Sequence, residues 1–503
     1  MQSGRTAVLS IVFVKLSFHL ITATRYGIFR DELYYLASAD NLDWGYVDQP
    51  PMIALLAWIV TRTLGTSLIA IRLLPAVAGA LLVWLAAQLA KEMGGGYRAQ
   101  TLAALGVAVA PIYLVMHHWM TMNAFEPLIW MGCAWCIVRA INRTEPRYWL
   151  AFGVLVGLGL ETKYSIAVFV AGVVAGLLFT PNRLALKNRW FWIGAVCAFG
   201  IFIPNLLWLY QHDFPFLELM ATIRRSGRDV VRGPLAFLAD QAMILNPVLV
   251  PLWLGGLIWI FASSKGRKYR ILGWTYVVVV ATFIVLKGKN YYVAPVYPML
   301  FAAGGIAFES LPGRARQWMP LSYATAIVLA GAIMAPLSAP ILPVETYLRY
   351  QQASGIVPIQ AENQETGPLP QFFADEFGWE EMVKEAARVY NSLPAEERAS
   401  TAIFANSYGQ AGAIDYFGPK YGLPKAISNH QSYWLWGPRE YTGDTVIVLG
   451  SDGTGDREHF ESVEVAGRAQ HPYSRRDEHF DIFLCRKLNT GLRLLWPTIK
   501  NWS

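Results

Sequence analysis

Asp31 and Glu32 stand side by side just beyond the first apolar run, and Asp48 follows immediately before Gln49-Pro50-Pro51. Adjacent carboxylates at the end of a membrane helix are costly unless they are solvated or put to use. One such group can accept the proton of a hydroxyl as that hydroxyl attacks. The same pair could equally cap an interfacial helix, whose N-terminus favours anions. The Pro-Pro turn fixes the direction in which the chain leaves Asp48. A second set of residues is basic: Lys163, then Arg224, Arg225 and Arg228, then Lys287 and Lys289 beside Tyr291 and Tyr292. Guanidinium and ammonium groups gathered in this way suit an anionic ligand such as a lipid-linked phosphate. The bland alternative is contact with lipid headgroups.

Something must hold these groups, and composition says what kind of chain does so. Of 503 residues, 54% are hydrophobic and only 15% charged, against about 25% charged in a soluble domain. The deficit is uneven: 41 of residues 1 to 344 are charged, against 36 of the 159 that follow. A single soluble enzyme and a disordered chain are both excluded. The pattern predicts a polytopic α-helical membrane domain over 1–344, with a first outer loop at 25–67, and a water-facing domain over 345–503. A bilayer asks for about 20 apolar residues per helix. Eleven runs qualify as transmembrane candidates, roughly 7–24, 68–90, 101–116, 124–138, 149–161, 164–179, 191–210, 237–262, 271–286, 291–309 and 319–338. Pro50 to Gly65, interrupted by Arg62, reads as a helix lying in the interface. Cys133, Cys136 and Cys197 lie inside apolar runs, so a disulfide framework is not expected.

Lys and Arg set the orientation. Arg5, Lys91, Arg98, Arg139, Arg143, Arg147, Arg183, Lys187, Arg189, Lys265, Arg267, Lys268, Arg270, Arg314 and Arg316 fall on one side, which is then cytoplasmic. Eleven spans place the N-terminus in the cytoplasm and the C-terminal domain outside the cell membrane, in the periplasm where a second membrane exists. Ten further basic residues, among them Arg25, Arg30, Arg62, Arg232 and the six named above, map to the outer side against the rule. Charges held there point to an anionic ligand at the outer face.

Four stretches then resemble, in order, the GT-C membrane glycosyltransferases of glycosyltransferase family 39. That group includes the dolichyl-phosphate-mannose protein mannosyltransferases and the lipid A aminoarabinose transferases. The stretches are Phe29 to Leu36 with Trp44 to Pro51, Met120 to Leu128, Gly157 to Tyr164, and Lys287 to Pro295. The resemblance spans about residues 7 to 310 and implies a GT-C fold. It also implies a polyprenyl-phosphate sugar donor, and inverting transfer to a hydroxyl or phosphate acceptor (glycan, lipid or protein) at the outer face. Asp31 is then the expected base, with Glu32 and Asp48 orienting the acceptor or the sugar. Lys163, Arg224, Arg225, Arg228, Lys287, Lys289, Tyr291 and Tyr292 would bind the donor phosphate. Tyr34, Asn123, Glu126 and His118 would meet acceptor or sugar. Asn123 stands where many relatives carry Asp, and Glu126 is expected to supply the missing charge. Aminoarabinose transferases place a His before the basic cluster, where it ligates a metal together with the counterpart of Asp48. Leu217 to Arg224 holds no His, and His212 lies earlier, so no cofactor is required by the residues and a divalent metal stays open.

The last 159 residues mix signals. Trp379 to Ser392 reads as an amphipathic helix, Gly409 to Tyr416 as a crossover helix, and Thr401 to Ala405, Thr445 to Leu449 and His479 to Leu484 as strands. A small C-terminal α/β extracytoplasmic domain follows. Asn406 to Gln410 sits at a strand end, where α/β sheets bind ligands. Asn429 to Gly437 offers the aromatic faces and amides that hold sugars, or else packs. There is no dinucleotide fingerprint, P-loop or zinc spacing, and the domain's net −6 argues against nucleic acid. The competing class is a transporter or flippase of lipid-linked sugars, but internal repeats and midplane charges are not found.

Overall fold

The computed structural model describes residues 2–143, 145–360 and 362–503, the side chains of 2–4 and 316 excepted, so Arg316 lies outside the described side chains. All eleven apolar runs are helical. Seven described helices are long and apolar enough to cross a membrane, and nine spans result if each of two sharply bent pairs counts as one. The runs at 101–116 and 149–161 fall short for a physical reason. Tyr97–Val109 stops before Pro111, and Tyr148–Leu160 has 13 residues, a rise of about 20 Å against a hydrocarbon core of about 30 Å. This is a multi-span membrane chain.

Contacts divide it into two units. The first comprises Met1–Arg25, Thr66–Leu207 and Val230–Ala361 and contains the long apolar helices. Small residues let their backbones approach closely, the packing mode that replaces hydrophobic drive between helices in lipid. Gly304 on Tyr297–Glu309 lies against the Leu252 carbonyl of Val250–Ala262, and Gly256 faces the Leu300 carbonyl in return. Lys15, buried in the first helix, donates to the Tyr113 carbonyl at 3.0 Å and the Ala108 carbonyl at 3.4 Å. These flank the break at Ala110-Pro111, where helical bonding is interrupted. The break thus supplies the acceptors that a buried ammonium needs.

The second unit is assembled from Tyr26–Gly65, Trp208–Asp229 and Glu362–Ser503. Its centre is a five-stranded sheet in the order β2-β1-β3-β5-β4, with β1 Ala402–Ala405, β2 Ile427–Ser428, β3 Thr445–Leu449, β4 Phe460–Ala469 and β5 Phe480–Leu488. β1 pairs in parallel with β2 and β3, whereas β5 is antiparallel to β3 and β4. The crossover helix Tyr408–Phe417 joins β1 to β2. Against it packs Arg30–Asp40, because Gly409 and Gly412 leave no side chain between them and Arg30 or Leu33. The helix Met52–Thr63 occupies the stretch read as interfacial, burying Ile53, Ala54, Ala57 and Val60 and exposing Leu55, Trp58 and Ile59.

Gly304→Val would drive a branched side chain into the Leu252 backbone. It is expected to lower the stability of the detergent-solubilised protein by about 1–3 kcal/mol or more. Gly255→Ala, whose added carbon would meet nothing closer than 3.9 Å, should leave the thermal unfolding midpoint unchanged. Equal midpoints for both variants would refute the close-approach account.

Candidate active site

In the second unit the paired carboxylates take separate jobs. The fully buried Glu32 accepts the Phe29 backbone N–H at 2.9 Å, capping its own helix. The expectation that Glu32 orients a substrate therefore gives way to a structural role, dictated by its place three residues into the first turn. Asp31 accepts the phenolic O–H of Tyr408 at 2.8 Å. Tyr408 is itself gripped. The Arg30 guanidinium lies 4.6 Å above its ring, His430 stacks at 5.1 Å, and the Tyr408 N–H donates to His430 Nδ1 at 3.2 Å. Since Nδ1 accepts, the ring proton sits on Nε2, 3.1 Å from the Ser503 carbonyl. Burial, and then the Arg30 charge, push His430 down to about 3, so it stays neutral.

Asp48 lies in the same unit. Tyr34 Oη is 2.9 Å from Asp48 Oδ1 and 2.7 Å from Ser432 Oγ. The Tyr34 hydroxyl donates to Asp48 Oδ1, and the Ser432 hydroxyl donates to Tyr34 while accepting the Val47 N–H at 3.1 Å. Burial pushes the Asp48 carboxyl up to about 7. The Tyr34 bond and the charge of Arg228 oppose this, and the charge of Asp31 adds to it. Beneath Tyr408 runs a further layer of buried charge. Arg475 pairs with Asp375 at 3.2 Å and with Asp477, and Gln410 donates to Glu478 at 2.8 Å. Burial raises Asp375 to about 6 and raises Glu478, against the opposing charges of Arg475 and Arg30.

The three expected arginines part company. Arg228 sits 3.6 Å from Glu362 and 3.9 Å from Asp229, and its charge acts on Asp48 and His430. Arg224 and Arg225 are exposed in the last turn of Pro215–Ser226, where cations suit the helix dipole.

In the first unit three of the four motif stretches converge. Lys163 Nζ donates to Asn123 Oδ1 at 2.7 Å and to Glu126 Oε2 at 3.1 Å, and it lies 4.5 Å from the Tyr292 ring and 5.9 Å from that of Tyr291. Ser165 donates to the other Glu126 oxygen. Lys163 is therefore already balanced by Glu126. Lys287 is exposed and holds φ +53 at the C-terminal end of Arg270–Val285, a left-handed position that favours glycine. Half-buried Lys289 leads to Asn290, which donates to Asp240 at 3.0 Å, and Arg232 pairs with Asp240 at 3.3 Å. His118 departs from expectation. It is buried, with Nε2 3.1 Å from the Arg72 guanidinium, which also donates to the Ala23 carbonyl. Arg72 can only donate, so His118 serves as its acceptor inside the bundle rather than facing a sugar.

A metal fits poorly. Among the described residues no group of three His, Cys, Asp or Glu side chains is placed to hold an ion, and Tyr34 engages Asp48 Oδ1. His212 stacks on Trp208 at 4.1 Å and bonds its carbonyl. Sequence reasoning missed Asp240, a lone carboxylate in an apolar helix and thus a detectable signal. It singled out the stretches holding Tyr408, His430 and Ser432 without their partners.

Residues 48–208 match the family model described as dolichyl-phosphate-mannose-protein mannosyltransferase. Lipid A galacturonosyltransferase RgtD of Rhizobium johnstonii is 27% identical over 259 residues, 49% of this chain and 52% of that protein. The match thus spans about half the length of the curated relative. ArnT from Cupriavidus metallidurans bound to undecaprenyl phosphate superposes with TM-score 0.60 and 13% identity, covering 96% of this chain and 97% of ArnT. Its apo form gives 0.62 and 12%, covering 96% and 98%. The chain has the GT-C glycosyltransferase fold. The segment 26–65 belongs to the unit that holds the sheet, and 48–208, the part matched by the family model, contributes to both units.

The folded protein holds the Asp48 proton until about pH 7, whereas an unfolded chain releases it near pH ~4. Stability therefore falls as pH rises through that window, by at most about 1.4 kcal/mol per pH unit from this group. Asp48→Asn should flatten the dependence of the unfolding midpoint between these limits and raise the midpoint at pH ~8 relative to the native protein. Parallel curves for the two proteins would contradict the burial of this carboxyl.

Proposed function

We propose that this chain is an integral membrane glycosyltransferase. It moves a sugar from a polyprenyl-phosphate donor to a hydroxyl or phosphate acceptor at the outer face, with inversion. The observation that carries the reading is the half-buried carboxylate of Asp31, aimed and held by Tyr408 beside a second acid, Asp48, whose proton is retained to about pH 7. That arrangement suits an acceptor hydroxyl. Its oxygen attacks the anomeric carbon, its proton passes to Asp31, and the bond to the lipid phosphate breaks with the phosphate leaving as an anion. Tyr34, bonded to Asp48, would orient the acceptor. In the second unit Arg228, whose charge acts on Asp48, is the cation suited to the donor phosphate; in the first unit Lys163, neutralised by Glu126, holds Asn123, Tyr291 and Tyr292 in place. The outer-face orientation rests on the fifteen basic residues of the opposite loops. Support for the lipid donor comes from ArnT, whose structure holds undecaprenyl phosphate. The name of RgtD makes lipid A and a uronic acid sugar the first pair to test.

Purified protein in detergent, incubated with polyprenyl-phosphate sugars and envelope lipid and followed by mass spectrometry, should transfer the sugar or slowly hydrolyse the donor. Asp31→Asn should cut the rate by about 10²–10⁴-fold while leaving donor binding intact, since positioned bases contribute that much. A variant keeping wild-type turnover would remove Asp31 as the base. Donor that is bound yet stays intact with the native protein would favour transport instead.

A further inference from the structure

The segment 496–503 is tied to residues around Asp48. Asn501 pairs with 429–431: its N–H donates to the Asn429 carbonyl at 3.0 Å, and its carbonyl accepts the Gln431 N–H at 3.1 Å. Gln431 holds φ +49, a strained value for its type, and its side chain donates to the Ser503 carbonyl at 2.9 Å. The next residue is Ser432, which bonds Tyr34 and the Val47 N–H. The Trp434 and Trp496 indoles each donate to the other residue's carbonyl, at 3.0 and 2.9 Å. Trp502 completes the tie. It is 8% exposed and packs with Val47, the neighbour of Asp48, and with Leu219 and Ile223 of Pro215–Ser226. Lys500 lies 4.1 Å from its ring and reaches Glu218 of that helix at 2.7 Å.

Trp502 thus shares one small buried cluster with the Asp48 turn and with the helix that leads within two residues into Arg228. We propose that Trp502 is a positioning residue for Asp48, setting the spacing between the Asp48 turn and Arg228. The proposal rests on the reading of Asp48 as part of the acceptor site, but its consequence can be measured without transfer. The groups facing Asp48 are Asp31, Tyr34 and Tyr35 from Arg30–Asp40, Tyr408 from the crossover helix, and Arg228. Of these Arg228 follows the helix that shares the Trp502 cluster, and its charge, like the Tyr34 bond, favours the ionised form.

The test is a cycle on the full chain in detergent: native, Asp48→Asn, Trp502→Ala and the double variant, with unfolding midpoints measured from pH 4 to 9. The part of each curve that Asp48→Asn abolishes reports the Asp48 titration. With Trp502→Ala that part should shift by about 0.5 pH unit or more as the spacing to Arg228 changes, and Trp502→Phe should restore it. Leu219→Ala, which trims the same cluster, should give the same displacement if Trp502→Ala does not fold. An Asp48-dependent part that stays at the same pH in whichever variants fold overturns the proposal. Transfer assays on the same proteins separate that outcome from failure of the enzymatic reading. Absent transfer by the native protein, with the displacement present, would remove the reaction and leave the positioning role standing.

Discussion

A single hydrogen bond, Tyr408 to Asp31, links residues 377 positions apart and gives the second unit its logic. For that bond to form, the helix Arg30–Asp40 must lie close to Tyr408–Phe417, which the glycines at 409 and 412 permit. Arg30 must then find space over the Tyr408 ring, and its buried charge needs the acids Asp375 and Glu478 nearby. These acids are buried in turn, and Arg475 offsets them. Each layer of charge requires the next, because an uncompensated buried charge costs several kcal/mol. Asp31 is thus fixed not by its own helix but by a stack of groups drawn from three parts of the chain.

The first unit solves a related problem differently. Lys163 and Glu126 are mutually neutralising, and Asn123, Ser165 and the two tyrosines complete their coordination. Such a cluster is well suited to keep three chain segments in register and poorly suited to attract an anion by itself. Lys287 shows the opposite compromise. A lysine is kept at a left-handed helix end where glycine would sit without strain, placing an exposed cation at the cost of local backbone energy.

What the residues revealed in advance follows the range of the interaction. Local patterns were legible: Thr445-Val446-Ile447-Val448-Leu449 is a strand, and the amphipathic run from Trp379 to Ser392 is the helix seen. β4 was not read, because Glu461, Glu464 and Arg468 belong to an edge strand with one face in water, and β2 has only two residues. The order of the motifs picked out Lys163, Asn123, Glu126, Tyr291 and Tyr292, with the first and last two assigned to a phosphate and the others to a sugar, but not that the five would meet. The fates of Glu32 and His118 were not legible either. A carboxylate three residues into a helix and a histidine opposite Arg72 look like site residues until their partners are seen. Tyr408 and Ser432 carry no periodic or spacing signal toward Asp31 and Tyr34, since pairing across such a separation is settled only by tertiary packing.

The interleaving of the second unit also bears on how the protein is made. Residues 26–65 are synthesised long before 362–503, and at about 5–20 residues per second the partner of Asp31 appears roughly 20–75 s later. During that interval Tyr34, Asp31 and Asp48 lack the groups that cover them in the finished protein. The segment 26–65 must wait unassembled while the intervening spans enter the bilayer. Completion of the site is therefore one of the last events of biogenesis, and a nascent chain halted before Tyr408 would insert its helices yet hold no finished loop.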